Sequence, residues 1–137
     1  MTADCFVDTN VLLYAISSHP DEQAKAEAAR RILGHEHFGL SGQVLQEFVV
    51  NATTKIATPL RDDEALEFID LLAPAPVVPV DRNLVFEAMR VKGRHLLSYW
   101  DAAIVAAAHA LEVAVLYSED FADGAVYGSL RIVNPFT

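Results

Sequence analysis

The chain has 137 residues, 53% of them hydrophobic, which indicates one globular domain spanning residues 1–137 rather than a disordered chain. Its formal net charge of −9 argues against a protein that binds nucleic acid by electrostatic attraction alone, and is compatible with bound cations or a basic protein partner. The sequence has no basic N-terminal signal and no apolar span long enough to cross a membrane. Cys5 is the single cysteine, so we expect no internal disulfide and a cytoplasmic protein.

Apolar runs of strand length alternate with amphipathic runs of helix length, which is typical of an α/β fold with a mainly parallel sheet. In the first half of the chain, "CFVD" predicts a strand and "NVLLYAIS" a short helix. "HPDEQAKAEAARRILG" predicts a longer helix that we expect Gly34 to stop. "FGLSG" predicts a second strand, which leads into the helix "GQVLQEFVVNATTKI".

The second half continues the same alternation. "RDDEALEFIDLLA" predicts an acidic helix ended by Pro74 and Pro76, and "VVPVD" predicts a third strand. We expect Asp81 to cap the helix "RNLVFEAMRVKG". "SYWDAAIVAAAHALEV" predicts an alanine-rich helix, "AVLYSED" a fourth strand, and "LRIVNPF" a final strand ended by Pro135.

Acidic side chains follow two of the predicted strands. Asp8 follows the first strand, and Glu119 and Asp120 follow the fourth. Ligands of open parallel sheets bind beyond the carboxyl ends of the strands, so these acids are candidates for a site. Each also has an ordinary explanation, because Asp8 can simply cap the next helix and "SEDFADG" can be a plain acidic loop.

Two further acids lie on predicted helices. Glu47 lies beside the apolar face of its helix, where a carboxylate is costly without a partner or a cation. Asp101 and Ser98 have the S-x-x-D spacing of a capping box, which is compatible with metal binding because one carboxylate oxygen stays free. Carboxylates sharing one crevice repel one another unless a cation such as Mg²⁺ or Mn²⁺ holds them, and phosphodiester hydrolysis is chemistry that such a site supports.

Four segments in this order resemble the PIN-domain ribonucleases, specifically the VapC-like toxins of bacterial toxin–antitoxin pairs. They are "FVDTNVLLYA", "LSGQVLQEF", "LSYWDAAIVAAA", and "VLYSEDFADG" with "RIVNPF". The resemblance covers essentially the whole chain and implies a three-layer α/β/α sandwich with a central, mainly parallel sheet. It implies that the catalytic, metal-binding acids are Asp8, Glu47, Asp101 and Asp120, with Glu119 as the less well matched alternative to Asp120.

The resemblance also implies supporting residues, cofactors and partners. Thr9 or Ser118 would support the acids by hydrogen bonding, and Asn10 would orient the loop. The expected activity is that of an endoribonuclease that uses Mg²⁺ or Mn²⁺, leaves a 5′-phosphate and a 3′-hydroxyl, and acts as a homodimer. A cognate antitoxin with a basic tail is the expected protein partner. The RNA target and the number of metal ions, one or two, stay open.

Two rival functions remain. An aspartate-based phosphatase with Asp8 as nucleophile is disfavoured, because it needs a second aspartate where this chain has Asn10. A non-catalytic module that docks a basic peptide on the same acids is the alternative to the nuclease.

The sequence also has candidates for direct RNA contact. The densest basic group is Arg90, Lys92, Arg94 and His95, which is equally typical of a solvated helix end. Tyr99 and Trp100 are aromatic residues able to stack on a base, but we expect them to pack in the core beside Asp101.

Overall fold

The computed structural model describes residues 2–137. Its strands are β1 (Cys5–Val7), β2 (Phe38–Ser41), β3 (Val77–Val78), β4 (Val115–Tyr117), β5 (Val126–Tyr127) and β6 (Leu130–Val133). Its α-helices are α1 (Thr9–Ala15), α2 (Gln23–His35), α3 (Gly42–Thr54), α4 (Asp62–Leu71), α5 (Arg82–His95) and α6 (Tyr99–Ala110), with a 3₁₀ turn at Pro20–Glu22. Helices flank a central, mostly parallel sheet, so the predicted α/β/α sandwich is confirmed.

The sheet has the order β3-β2-β1-β4-β6-β5, which places β1 at its centre. In the register of the sheet, Phe6 lies opposite Gly39 on one side and Leu116 on the other. Only β5 runs antiparallel, as a short hairpin with β6. The β1–β2 and β1–β4 pairs are parallel, so the carboxyl ends of these three strands meet at one edge, where the site lies.

The core forms where the apolar faces of the helices meet this sheet. Phe6, Leu116 and Ile132 are fully buried in neighbouring strands. All residues of α6 from 102 to 108 are buried, because their small side chains let the helix pack on the sheet and against α5 at once. Cys5 is buried in β1, as its packing role predicts. Among residues 2–137, none of the helices is long and apolar enough to span a membrane.

The structure corrects two predicted helix ends. Gly34 does not stop α2, which continues to His35. Likewise α5 passes through Gly93 and ends at His95, where Leu96 takes a left-handed backbone with φ of 56°. In both helices the glycine lies on an open surface, where a missing side chain costs stability without breaking the helix.

Other local predictions fare differently. Asp81 caps α5 as predicted, since its Oδ1 accepts a hydrogen bond from the Leu84 N–H at 2.9 Å. The predicted third strand is shorter than "VVPVD", because Pro79 has no N–H to donate to the ladder and only Val77–Val78 pair. The strand β5 was not predicted. It has two residues, one of them exposed, so it carries no apolar alternation to detect.

Candidate active site

Asp8 lies at the carboxyl end of β1, in the middle of the sheet edge. Its backbone N–H donates to the Tyr117 carbonyl at 3.0 Å, so it is held in the sheet. Its Oδ1 accepts from the Thr9 N–H at 2.8 Å, which makes Asp8 the N-cap of α1. Its Oδ2 accepts from the Ser118 hydroxyl at 2.7 Å. One carboxylate oxygen of Asp8 therefore caps a helix while the other faces β4. Helix capping and a place in an acidic site are compatible roles for this residue.

The surroundings of Asp8 oppose its ionisation. Burial is the main cause that raises the pKa of Asp8 to about 6; the hydrogen bonds from Ser118 and Thr9 oppose the rise, and the negative charges of Asp120 and Glu47 add to it. The residue is only 6% exposed, so water does little to screen these charges. Two other predicted acids, Glu47 and Asp120, are therefore close enough to Asp8 for their charges to affect its pKa.

Asp120 is joined to Asp8 through two polar side chains. The Ser118 hydroxyl donates to Asp8 and accepts from the Asp120 N–H at 3.1 Å. Asn10 Nδ2 donates to Asp120 Oδ2 at 3.1 Å. Among the buried side-chain atoms of residues 2–137, Asn10 Oδ1 is the one without a hydrogen-bond partner. The predicted supporting residues Asn10 and Ser118 thus both lie between the acids.

Glu47 approaches the same edge from α3. Its Oε1 accepts from Gln43 Nε2 at 2.8 Å, and its Oε2 lies 3.5 Å from the Thr9 hydroxyl. The Gln43 amide also donates to the Trp100 carbonyl at 3.2 Å, which ties α3 to the start of α6. Gln43 was not identified from the sequence, although its spacing of four residues from Glu47 on one helix is the pattern that would have found it.

Asp101 makes no hydrogen bond to these acids among residues 2–137, but its neighbour Trp100 is bonded to Gln43. It lies in the first turn of α6, where its N–H donates to the Ser98 hydroxyl at 3.1 Å. Its carboxylate has no hydrogen-bond partner among residues 2–137. The Gln43 bond to the preceding carbonyl, that of Trp100, brings this turn to Glu47. We call Asp8, Glu47 and Asp120, with Thr9, Asn10 and Ser118, the Asp8 cluster.

Glu119 contacts a different set of residues, Tyr14 and Lys25. Its Oε1 accepts from the Tyr14 hydroxyl at 2.5 Å, and its Oε2 pairs with Lys25 Nζ at 3.2 Å. Lys25 also donates to the Tyr14 oxygen at 3.1 Å. We call these three residues the Lys25 cluster. Beside it, a cavity of about 340 Å³ is lined in part by Asn10, Tyr14 and Glu119.

The chemistry of the Asp8 cluster fits a hard divalent cation. Within residues 2–137, neither lysine nor arginine forms an ion pair with its carboxylates or with Asp101. The available donors are carboxylate oxygens and the unpartnered Asn10 Oδ1, which suit Mg²⁺ or Mn²⁺ better than zinc. In the same residues no three acidic, histidine or cysteine side chains already stand in metal-binding geometry.

The family model of the PIN domain matches residues 5–122. The chain belongs to the PIN domain family. The match takes in the whole acidic edge of this PIN domain, from Asp8 to Asp120. A comparison with curated protein sequences gives no match.

Solved structures share the fold of this PIN domain at low sequence identity. A toxin–antitoxin complex from Klebsiella pneumoniae superposes with a TM-score of 0.72 at 17% identity, covering 96% of this chain and 98% of that one. VapC20 from Mycobacterium tuberculosis, described as a Sarcin-Ricin loop cleaving toxin, gives 0.68 at 20% identity, with 93% and 98% covered. DNA-bound VapBC from Salmonella typhimurium gives 0.65 at 17% identity, with 96% and 97% covered.

Proposed function

We propose that this PIN-domain protein is a metal-dependent endoribonuclease and the toxin of a toxin–antitoxin pair. The observation that carries the proposal is the Asp8 cluster, a set of carboxylates at the carboxyl edge of a parallel sheet without a lysine or arginine partner among residues 2–137. The toxin–antitoxin proteins that share its fold, one of them a toxin that cleaves the Sarcin-Ricin loop, support the same class of activity.

Asp8, Glu47, Asp101 and Asp120 would hold Mg²⁺ or Mn²⁺ in this function. Such a cation, when bound, lowers the pKa of water and offsets the negative charge that develops at the scissile phosphate. Asp8, with a pKa of about 6, is largely ionised at pH 7 and is ready to act as a ligand even before a cation arrives. Ser118 orients the Asp8 carboxylate by donating to it, and Asn10 does the same for Asp120.

A basic antitoxin tail is the protein partner that suits this chain. With a net charge of −9, the protein repels nucleic acid at long range but attracts a cationic peptide. An arginine of that peptide would form bidentate, charge-assisted hydrogen bonds with the unpaired carboxylates and compete with the divalent cation. We further propose that the toxin is a cytoplasmic homodimer.

The direct test is cleavage of total RNA by purified, antitoxin-free protein in Mg²⁺, in Mn²⁺ and in EDTA. We expect discrete fragments with either metal, none in EDTA, and none from Asp8→Asn, which keeps the size of the side chain but removes its charge. Asp70→Asn is the matched control, because Asp70 is an exposed acid on α4 and its neutralisation leaves the Asp8 cluster intact.

Other outcomes would redirect the assignment. Cleavage by a folded Asp8→Asn protein at the wild-type rate would remove Asp8 from the active site. If the wild-type protein neither cleaves RNA nor binds Mn²⁺ in calorimetry, the acids serve only to dock a basic peptide, and the protein is a binding module.

A further inference from the structure

Trp100 is exposed, although the sequence predicts that it packs in the core. It is 68% exposed, whereas its neighbour Tyr99 is half-buried and packs against the core. Consecutive helical residues point about 100° apart, and in the first turn of α6 the side that carries Trp100 is open to solvent. Residues 102 to 108 of α6 are buried, and the exposed indole forms an apolar surface at the first turn of the helix.

The position of Trp100 is fixed relative to the acids. Its carbonyl accepts from Gln43 Nε2 at 3.2 Å, and the same amide donates to Glu47 at 2.8 Å. The next residue along the chain is Asp101. The indole also meets the Tyr99 ring edge-on, with centroids 5.2 Å apart and planes at 81°. The backbone of Trp100 is therefore tied to Glu47 through Gln43, and its exposed indole belongs to the residue that precedes Asp101.

Basic side chains lie at the same end of the helix pair. Helices α5 and α6 pack against each other and are joined by the three residues from 96 to 98. Four Cα–Cα steps span at most about 15 Å, so the last turn of α5 stays near the first turn of α6. Lys92 and Arg94 in that last turn are exposed, and neither forms an ion pair among residues 2–137.

We propose that Trp100 stacks on a nucleobase of single-stranded RNA next to the phosphate that is cleaved. Lys92 and Arg94 would contact phosphates of the same strand. The inference rests on the proposed ribonuclease function and names how its substrate is held. Base–aromatic stacking accepts every base, so Trp100 supplies affinity and orientation while sequence preference has to come from other contacts.

The single tryptophan makes stacking directly measurable, because the indole fluorescence of the protein reports on Trp100 alone. The experiment titrates Asp8→Asn protein in EDTA with a random-sequence oligoribonucleotide of about ten nucleotides, a length in the range that single-strand sites cover. We expect saturable quenching by this RNA. An abasic oligomer of the same length should leave the fluorescence nearly unchanged.

Binding by variants, measured by filter retention, completes the test. We expect Trp100→Ala to weaken RNA binding about tenfold and Trp100→Phe to recover most of the loss. Trp100→Ala made in the active protein should raise KM more than it lowers kcat. Phe86→Ala is the matched control, since Phe86 is an aromatic residue of α5 with a similar exposure of 62%, and it should bind RNA as the parent does.

Several results would overturn the inference. RNA that binds without changing the fluorescence, or that binds Trp100→Ala as tightly as the parent, excludes stacking. If Trp100→Ala and Phe86→Ala both turn a dimer into a monomer in sedimentation velocity, with RNA affinity unchanged, Trp100 is a subunit contact instead. Cleavage that survives Trp100→Ala with an unchanged KM removes the stacking role alone, whereas absence of both RNA binding and cleavage removes the ribonuclease function with it.

Discussion

Glu119 and Asp120 are consecutive acidic residues, but only the first has a positively charged partner among residues 2–137. Glu119 belongs to the Lys25 cluster, where an ammonium group 3.2 Å away compensates its charge. Asp120 belongs to the Asp8 cluster; it is exposed, Asn10 donates to its carboxylate, and its negative charge acts on Asp8. Glu119 therefore has a cationic partner within the protein, whereas no lysine or arginine among residues 2–137 forms an ion pair with Asp120.

The difference shows what each cluster contributes. The Lys25 cluster joins α1, α2 and the segment after β4 through a closed set of hydrogen bonds, which is a structural role. In the Asp8 cluster, neutral groups such as the Ser118 hydroxyl and the Asn10 amide orient the carboxylates without neutralising their charge. Asp8 is buried without a cationic partner among residues 2–137, which lowers stability and favours a function that uses its charge.

The largest effect we expect from this comparison is on RNA cleavage. Asp120→Asn should lower kcat/KM more than about 100-fold, because a metal ligand supports several kcal/mol of transition-state stabilisation. Glu119→Gln should change it less than about threefold, because Glu119 bonds Tyr14 and Lys25 rather than the Asp8 cluster, and losing such a pair costs less than about 1 kcal/mol. Rates with purified RNA in Mn²⁺ provide the comparison. The reverse order of the two losses would make Glu119 the fourth acid.

The second effect is on stability as a function of pH, measured by urea unfolding in EDTA. Folded Asp8, with a pKa of about 6, keeps its proton up to that pH, whereas the unfolded carboxyl loses it near its ordinary pKa of 3.8. The folded state therefore binds more protons between these values, and wild-type stability should fall as pH rises from 4 to 7. The loss due to Asp8 is about 3 kcal/mol.

Asp8→Asn provides the reference for that measurement, since asparagine cannot ionise but keeps an oxygen for the Thr9 N–H. Its unfolding free energy should lack the Asp8 contribution and exceed that of the wild type at pH 7. Asp120→Asn should reduce the wild-type slope in part, because the charge of Asp120 helps to raise the pKa of Asp8. Parallel curves for wild type and Asp8→Asn would contradict the charged, uncompensated state of this site.

Much of the fold could be predicted because its signals are local. The alternation of strand and helix patterns, the cap at Asp81 and the acids at strand ends all depend on nearby residues. The choice between Glu119 and Asp120 depends on contacts across the sequence, since Lys25 lies 94 residues from its partner. A local acidic run carries no information about which member meets a distant lysine.

Trp100 illustrates a second limit of the sequence. Helix α6 is apolar on nearly all sides, so its pattern does not indicate which side faces solvent. The exposure of Trp100 depends on which neighbours cover the first turn of α6 in the folded chain, and the residues of the helix alone do not contain this information.

The smallest effect lies in the Lys25 cluster and tests whether it is as self-contained as its contacts indicate. Lys25 and Glu119 side chains are 39% and 23% exposed, so their coupling in a cycle of Lys25→Met and Glu119→Gln should be below about 1 kcal/mol. Molar salt should weaken this coupling by screening, while the buried Asp8 contribution persists. A coupling above about 2 kcal/mol that resists salt would mean that the Lys25–Glu119 pair is as shielded from water as Asp8. The two clusters would then differ only in whether a cationic side chain pairs with their carboxylates.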